Sequence, residues 1–321
     1  MKFQIIHAFA TVCCGCALLF SSTAPVLADA KRVSLWVDMY HGEVISFEDV
    51  MEDLAQAKVV YLGETHRIKR HHEWQLRIVQ QLQNRQKSLL IGLEQIEDIY
   101  QPQVDAFNRG EVNFEEFAEK TDWNQRWPGY RNYQPLMELA QQHQIPLVAL
   151  NAQAEVIRKI GRHGLPSLSA EERQLLPDEI RWREDTQYRR LLDQLLMVHM
   201  PLTPEKLTPV FQAQVSRDET MAENLVQALA ALPQETIAVV IAGSGHMDYG
   251  LGIPPRITRR LGEHTHRILT FTNSGDLKLT EAEKKMARSI RIHHDDLRFL
   301  TRPKSDYLLV TEAAAKDPSV E

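Results

Sequence analysis

Acidic, amide and imidazole side chains stand where apolar runs end, the position from which an α/β chain presents reactive groups. Val59-Val60-Tyr61-Leu62-Gly63 runs into Glu64-Thr65-His66, with His71-His72 close behind. Gly92-Leu93 runs into Glu94, Ala149-Leu150 into Asn151, and Thr236 to Ala242 into Gly243-Ser244-Gly245-His246. Two imidazoles with one or two carboxylates can hold a divalent metal and leave a position for water or substrate. Glu64, His66, His71, Glu94 and His246 are therefore the candidate metal ligands. Without a metal, Glu64 or Glu94 can act as a general base if burial raises its pKa. Plainer readings stand beside these: His71-His72 also suits a helix start, and Asn151 also suits the backbone groups left open at a strand end.

A second constellation is aromatic and cationic. Trp123, Trp127, Tyr130 and Tyr133 are interleaved with Arg126 and Arg131, Tyr249 follows His246 by three positions, and Arg256 lies beyond Pro254-Pro255. Rings that pack on a ligand's face, with guanidinium groups that pair with its carboxylates, suit a flat anionic ligand. A tryptophan-rich core loop with solvated arginines is the bland alternative. No glycine-rich dinucleotide fingerprint, phosphate loop or Gly-x-Ser-x-Gly elbow is present, so those chemistries lose ground.

The elements that position these groups alternate. Val59–Gly63, Ser88–Leu93, Pro146–Leu150, Thr236–Ala242, Arg267–Thr272 and Tyr307–Thr311 are apolar runs of strand length. Helical spacing occupies about His71–Gln83, Gln134–Gln142 and Glu219–Leu232. This order predicts an α/β fold, a mostly parallel sheet flanked by helices, with the polar strand ends on one edge. The stretch from about 165 to 217 breaks the alternation. It is charged and interrupted by Pro166, Pro177, Pro201, Pro204 and Pro209, and it is expected as a helical insertion over the core. The tail after Glu312 is expected to be loose.

At 321 residues with 43% hydrophobic and 25% charged content, the chain can bury a substantial core. Its net charge of −6 argues against a nucleic-acid surface, which needs basic excess. Residues 1–28 read as an export signal: Lys2 opens it, Ile5 to Phe20 form the apolar stretch, and Val26-Leu27-Ala28 supplies the cleavage pattern, leaving 29–321 as the mature domain. The three cysteines, Cys13, Cys14 and Cys16, all lie in that signal, so the mature chain has neither disulfide nor thiolate metal site. Gly15-Cys16 also permits lipidation, although Cys13 and Cys14 replace the residues usual before it. A soluble periplasmic form and a lipid-anchored form both stay open.

These motifs resemble the ChaN-like haem-binding uptake proteins of the Tiki superfamily. The resemblance is carried by Leu62-Gly63-Glu64-Thr65-His66 with His71-His72, by Gly92-Leu93-Glu94, Tyr133-Gln134-Pro135-Leu136 and Ala149-Leu150-Asn151. Arg217-Asp218-Glu219-Thr220-Met221-Ala222 and Ala242-Gly243-Ser244-Gly245-His246 through Tyr249-Gly250-Leu251-Gly252-Ile253-Pro254 are the most telling stretches. The resemblance implies an exported or lipid-anchored bacterial protein of iron acquisition. It implies stacked haems held between two subunits with a tyrosinate on ferric iron, and hence a homodimer. A phenolate is a hard anionic donor that suits ferric iron. Tyr130, Tyr133 and Tyr249 are then the candidate ligands, with Arg126, Arg131 and Arg256 for the propionates, and an outer-membrane haem receptor or another envelope transport component is the implied protein partner. The wider superfamily also holds metal-dependent proteases and erythromycin-esterase-like hydrolases with similar motifs. A second reading is therefore a metal-dependent hydrolase that activates water through Glu64, His66, Glu94 and His246.

Overall fold

The apolar runs become strands because both of their faces are covered. In the computed structural model, which describes residues 34–199, 203–272 and 294–311, eight strands form one sheet. They are β1 (Ser34–Asp38), β2 (Glu43–Ile45), β3 (Val59–Glu64), β4 (Leu89–Glu97), β5 (Leu147–Asn151), β6 (Ile237–Gly243), β7 (His266–Phe271) and β8 (Tyr307–Thr311). Their order is β2-β1-β8-β7-β3-β6-β4-β5. Every pair from β8 to β5 is parallel, and β1 is antiparallel to both β8 and β2. The mostly parallel α/β sheet expected from the sequence is present. The expected export signal, its cysteines and the tail beyond Thr311 lie outside the described residues.

Helices pack on both faces: α1 (Phe47–Leu54), α2 (Lys69–Asn84), α3 (Gln101–Asn108), α4 (Phe114–Lys120), α5 (Trp123–Arg126), α6 (Gln134–Gln142), α7 (Ala154–His163), α8 (Ala170–Arg173), α9 (Thr186–His199), α10 (Pro204–Ala230) and α11 (Ile253–Leu261). Strand alternation divides the core between the two faces. Val60, Leu62, Ile91, Leu93, Val239 and Ile241 pack with Ile78, Val79 and Leu82 of α2. Val59, Tyr61, Leu90, Ala238 and Val240 pack with Leu225 and Leu229 of α10 and with Ile253 and Ile257 of α11.

Connectivity then locates the site. The chain leaves β3 and crosses β6 to reach β4, whereas it leaves β6 and crosses β3 to reach β7. The two connections run in opposite directions along the sheet, which makes the carboxyl ends of β3 and β6 its switch point, the place at which open parallel sheets bind ligands. Register sets Glu64 directly opposite Gly243 there.

One feature differs from expectation. The final helix before β6 does not begin near Glu219: α10 runs unbroken from Pro204 to Ala230, through Pro209. Its burial against the sheet and α11 outweighs the single backbone bond that Pro209 removes. At the sheet's β5 edge, side chains satisfy the open backbone groups. Asn108 bonds both the N–H (3.0 Å) and the carbonyl (2.9 Å) of Leu147, Gln101 accepts from Ala149 N–H (2.8 Å), and Asn224 donates to the Leu150 carbonyl (3.0 Å). That edge is thereby blunted against pairing with another strand.

Candidate functional site

Two carboxylate–imidazole groups meet at Gly243. The first is centred on Glu64, fully inside the protein on the α2 face. Its Oε1 accepts from His66 Nδ1 (2.8 Å), from Gln95 Nε2 (3.2 Å) and from the Tyr133 hydroxyl. Its Oε2 accepts from Gln75 Nε2 (2.7 Å) and lies 3.3 Å from His72 Nδ1. The other nitrogen of His72 donates to the His66 carbonyl at 2.9 Å. Burial alone would raise the Glu64 carboxyl, but the hydrogen bond from His66 and the neighbouring imidazoles hold it below the ordinary range. His66 is lowered by burial and raised by Glu64 and Glu94, with a net shift upward. Its ring stays partly open to solvent and rests edge-on against Trp127, centroids 4.8 Å apart.

The second group is closed. Glu94, inside β4 where its register with β5 shifts, accepts the Gly243 N–H at 2.6 Å, and its other oxygen is 3.2 Å from His246 Nε2. The opposite nitrogen of His246 lies 2.5 Å from Asp218 Oδ1 on α10. Burial disfavours charge on this imidazole, yet two flanking carboxylates raise its pKa to about 10, so it is an imidazolium at neutral pH. Gly243 is what lets the two groups approach. A Cβ there would stand 3.0 Å from two His66 ring atoms and 3.6 Å from a Glu94 oxygen.

Four of the five expected metal ligands thus come together, but as paired acids and bases. Among the described residues no group of three or more His, Cys, Asp or Glu is arranged to hold a metal ion. His71 is not with them. Its Nδ1 accepts from Thr65 N–H (3.0 Å) and its Nε2 donates to the Thr272 carbonyl (3.2 Å), while burial lowers its pKa to about 4. It tethers the β3–α2 turn to the end of β7.

The expected tyrosines separate in the same way. Tyr133 is buried and donates its hydroxyl to Glu64. Tyr130 stacks flat on Phe114 at 6.0 Å with the Arg131 guanidinium over its ring. Tyr249 lies in the loop after β6, half-buried, with left-handed backbone (φ 60°, ψ 19°). Among the described residues its hydroxyl has no hydrogen-bond partner. Its N–H donates to the Lys304 carbonyl (2.8 Å), and the Arg302 side chain lies against Gly250.

Of the expected arginines, Arg256 is buried and neutralised inside the protein. It pairs with Asp185 and Glu219 and donates to the Gly252 carbonyl (2.5 Å), which ties α11 to α10 and to the segment before α9. Its packing leaves it unable to reach a ligand carboxylate without breaking those pairs. Arg131 pairs with Glu115 through two bonds at the surface (2.7 and 3.0 Å). Arg126 pairs with Glu97 (3.0 Å) and covers the Tyr100 ring. Sequence reasoning did not single out Asp218, Gln75 or Gln95, nor Arg302 and Lys304 beside Tyr249. Asp218 stood inside a recognised motif, while the amides carry no spacing signal.

An open, mostly parallel α/β sheet thus carries paired carboxylates and imidazoles at its switch point. The chain belongs to the family described as haem-binding uptake, Tiki superfamily, ChaN, whose model matches residues 50–257. The solved structure of cofacial haem binding to ChaN of Campylobacter jejuni is similar over 88% of this chain and 98% of that one, with TM-score 0.64 and 19% identity, a likeness of fold. An erythromycin esterase in its open conformation is a more distant likeness, with TM-score 0.44 and 12% identity over 74% of this chain and 76% of that one. Protein RETICULATA-RELATED 5, chloroplastic, of Arabidopsis thaliana is 25% identical over 255 residues, 74% of this chain. The matched region spans about a third, 34%, of that plant protein's length.

Proposed function

We propose that this chain binds ferric haem through Tyr249 and serves haem or iron acquisition at the bacterial envelope. Family membership supports haem as the ligand. The observation that supports Tyr249 is its backbone: a bulky residue held in the left-handed region costs about 1–2 kcal/mol, and such strain persists at sites where a side chain must be aimed. Haem, when bound, would supply a ferric centre suited to an anionic oxygen donor. Tyr249 presents a hydroxyl unspent on the protein, while Tyr133 is committed to Glu64. Lys304, paired with Asp248 (3.5 Å), and Arg302, paired with Asp306 (3.1 Å), lie beside the loop and would meet propionates by exchanging those partners. Burial and the Asp248 charge raise the Tyr249 hydroxyl above the usual tyrosine value, so ligation releases a proton and haem affinity rises with pH.

Two copies would bring their haems face to face, residues 1–28 would export the chain, as a soluble or lipid-anchored form, and a haem receptor or envelope transporter would be its partner. The test is an absorbance titration with ferric haem alongside sizing. Tyr249→Phe abolishes the tyrosinate-type ferric spectrum, whereas Tyr130→Phe and Tyr133→Phe retain it. Retention of that spectrum in Tyr249→Phe would remove the ligand assignment. Cell fractionation with and without residues 1–28 tests export.

A further inference from the structure

A cavity of about 200 Å³ lies at the carboxyl ends of β4 and β5, walled in part by Trp127 and lined by Gln95, Asn151 and Arg217. Several of its polar atoms are unspent. Gln95 is 4% exposed and Asn151 7% exposed, and the side-chain oxygen of each is buried without a hydrogen-bond partner among the described residues. Gln95 cannot be turned around at no cost, because its amide nitrogen donates to Glu64, which leaves its oxygen as an acceptor. Arg217 Nε is likewise buried and unpartnered, and among the described residues the Arg217 guanidinium forms no ion pair. Each such group is costly to leave unmade, and four around one cavity, Trp127 Nε1 among them, point to an absent occupant.

The other charges are accounted for. Arg126 is held by Glu97 and Arg158 by Glu155 (2.6 Å), while Glu97 spends its second oxygen on Ala154 N–H (3.0 Å). One cation therefore remains uncompensated, beside two acceptors that need donors. The volume equals about seven waters. We propose that this cavity binds a small hydroxycarboxylate, its carboxylate on Arg217 and its hydroxyl groups donating to Gln95 and Asn151. The site goes beyond haem binding and does not require it.

Glycerate, with one carboxylate and two hydroxyls, is the probe, and calorimetric titration of the haem-free chain is the readout. Saturable binding is expected, with propionate and sulfate at least ten-fold weaker, because neither carries a hydroxyl to donate to the two amide oxygens. Arg217→Gln weakens glycerate at least ten-fold, and Arg217→Lys, which keeps the charge but not the fork, retains part of the affinity. Equal affinity for propionate or sulfate overturns the proposal, as does glycerate binding unchanged in a folded Arg217→Gln. The anion series is measured on the unaltered chain, so it decides the matter even if a variant fails to fold. Haem absorbance plays no part in it, which keeps its failure separate from failure of the Tyr249 assignment.

Discussion

The cluster around Gly243 and the loop that follows it are six residues apart at Tyr249, yet they spend their polar atoms differently. In the cluster, Glu64 receives from His66, Gln75, Gln95 and Tyr133, and His246 is clasped by Glu94 and Asp218. In the loop, Tyr249 is held by its backbone in a costly conformation and its hydroxyl is left open. Glu64, Glu94 and His246 are each held by partners from several elements, whereas the Tyr249 hydroxyl, on a strained backbone, has none among the described residues. If this contrast is right, substitutions in the cluster should cost stability, and substitution of Tyr249 should cost binding.

The largest loss is expected from Asp218→Asn, which removes one of two carboxylates from a buried imidazolium. Urea denaturation should show about 3 kcal/mol of destabilisation, as when a buried charge loses a partner. A loss within 0.5 kcal/mol would mean that the cluster is not structural. The same group sets a pH dependence. Because the His246 pKa rises from 6.5 to about 10 on folding, its contribution is complete below about pH 6.5 and is lost as pH climbs through 10. Glu64 and Glu94, both held below their ordinary value of 4.5, contribute above that pH and lose the contribution on acidification. Denaturation midpoints should therefore fall from pH 7 to 10 in the parent chain and fall less steeply in His246→Gln.

Tyr133→Phe strips one donor from buried Glu64 and should cost about 1–3 kcal/mol while the haem spectrum is retained. Gly243→Ala inserts a methyl group between His66 and Glu94. Since His66 is partly exposed and can yield, about 1 kcal/mol is expected, at the lower end of overpacking. Tyr249→Phe closes the series with a change under about 0.5 kcal/mol, because no partner is lost.

The sequence carried most of the scaffold. Val59–Gly63 and Thr236–Ala242 were legible as strands because a central parallel strand is apolar on both faces, and the polar residues after them could be placed on one edge by topology alone. β1 and β2 were not legible. Ser34–Asp38 is short and mixed, and it is a strand because it pairs with Tyr307–Thr311 at the far end of the chain. Pro209 read as a break because a proline's local cost is visible in sequence and the burial that offsets it is not. At the site, the types Glu64, His66, Glu94 and His246 were legible, but whether they share a metal or neutralise one another depends on Asp218, Gln75 and Tyr133, which arrive from three other helical segments. That Tyr133 faces Glu64 and Tyr249 faces no partner is a fact of tertiary packing, so three tyrosines looked equivalent beforehand.

The most direct test is a ferric-haem titration of the parent chain and Tyr249→Phe under identical conditions, with unfolding measured on both. The account predicts saturable binding with a tyrosinate-type spectrum in the parent. It predicts loss of that spectrum in Tyr249→Phe at unchanged stability. A Tyr249→Phe chain that keeps the spectrum, while Tyr130→Phe or Tyr133→Phe loses it, would contradict the account.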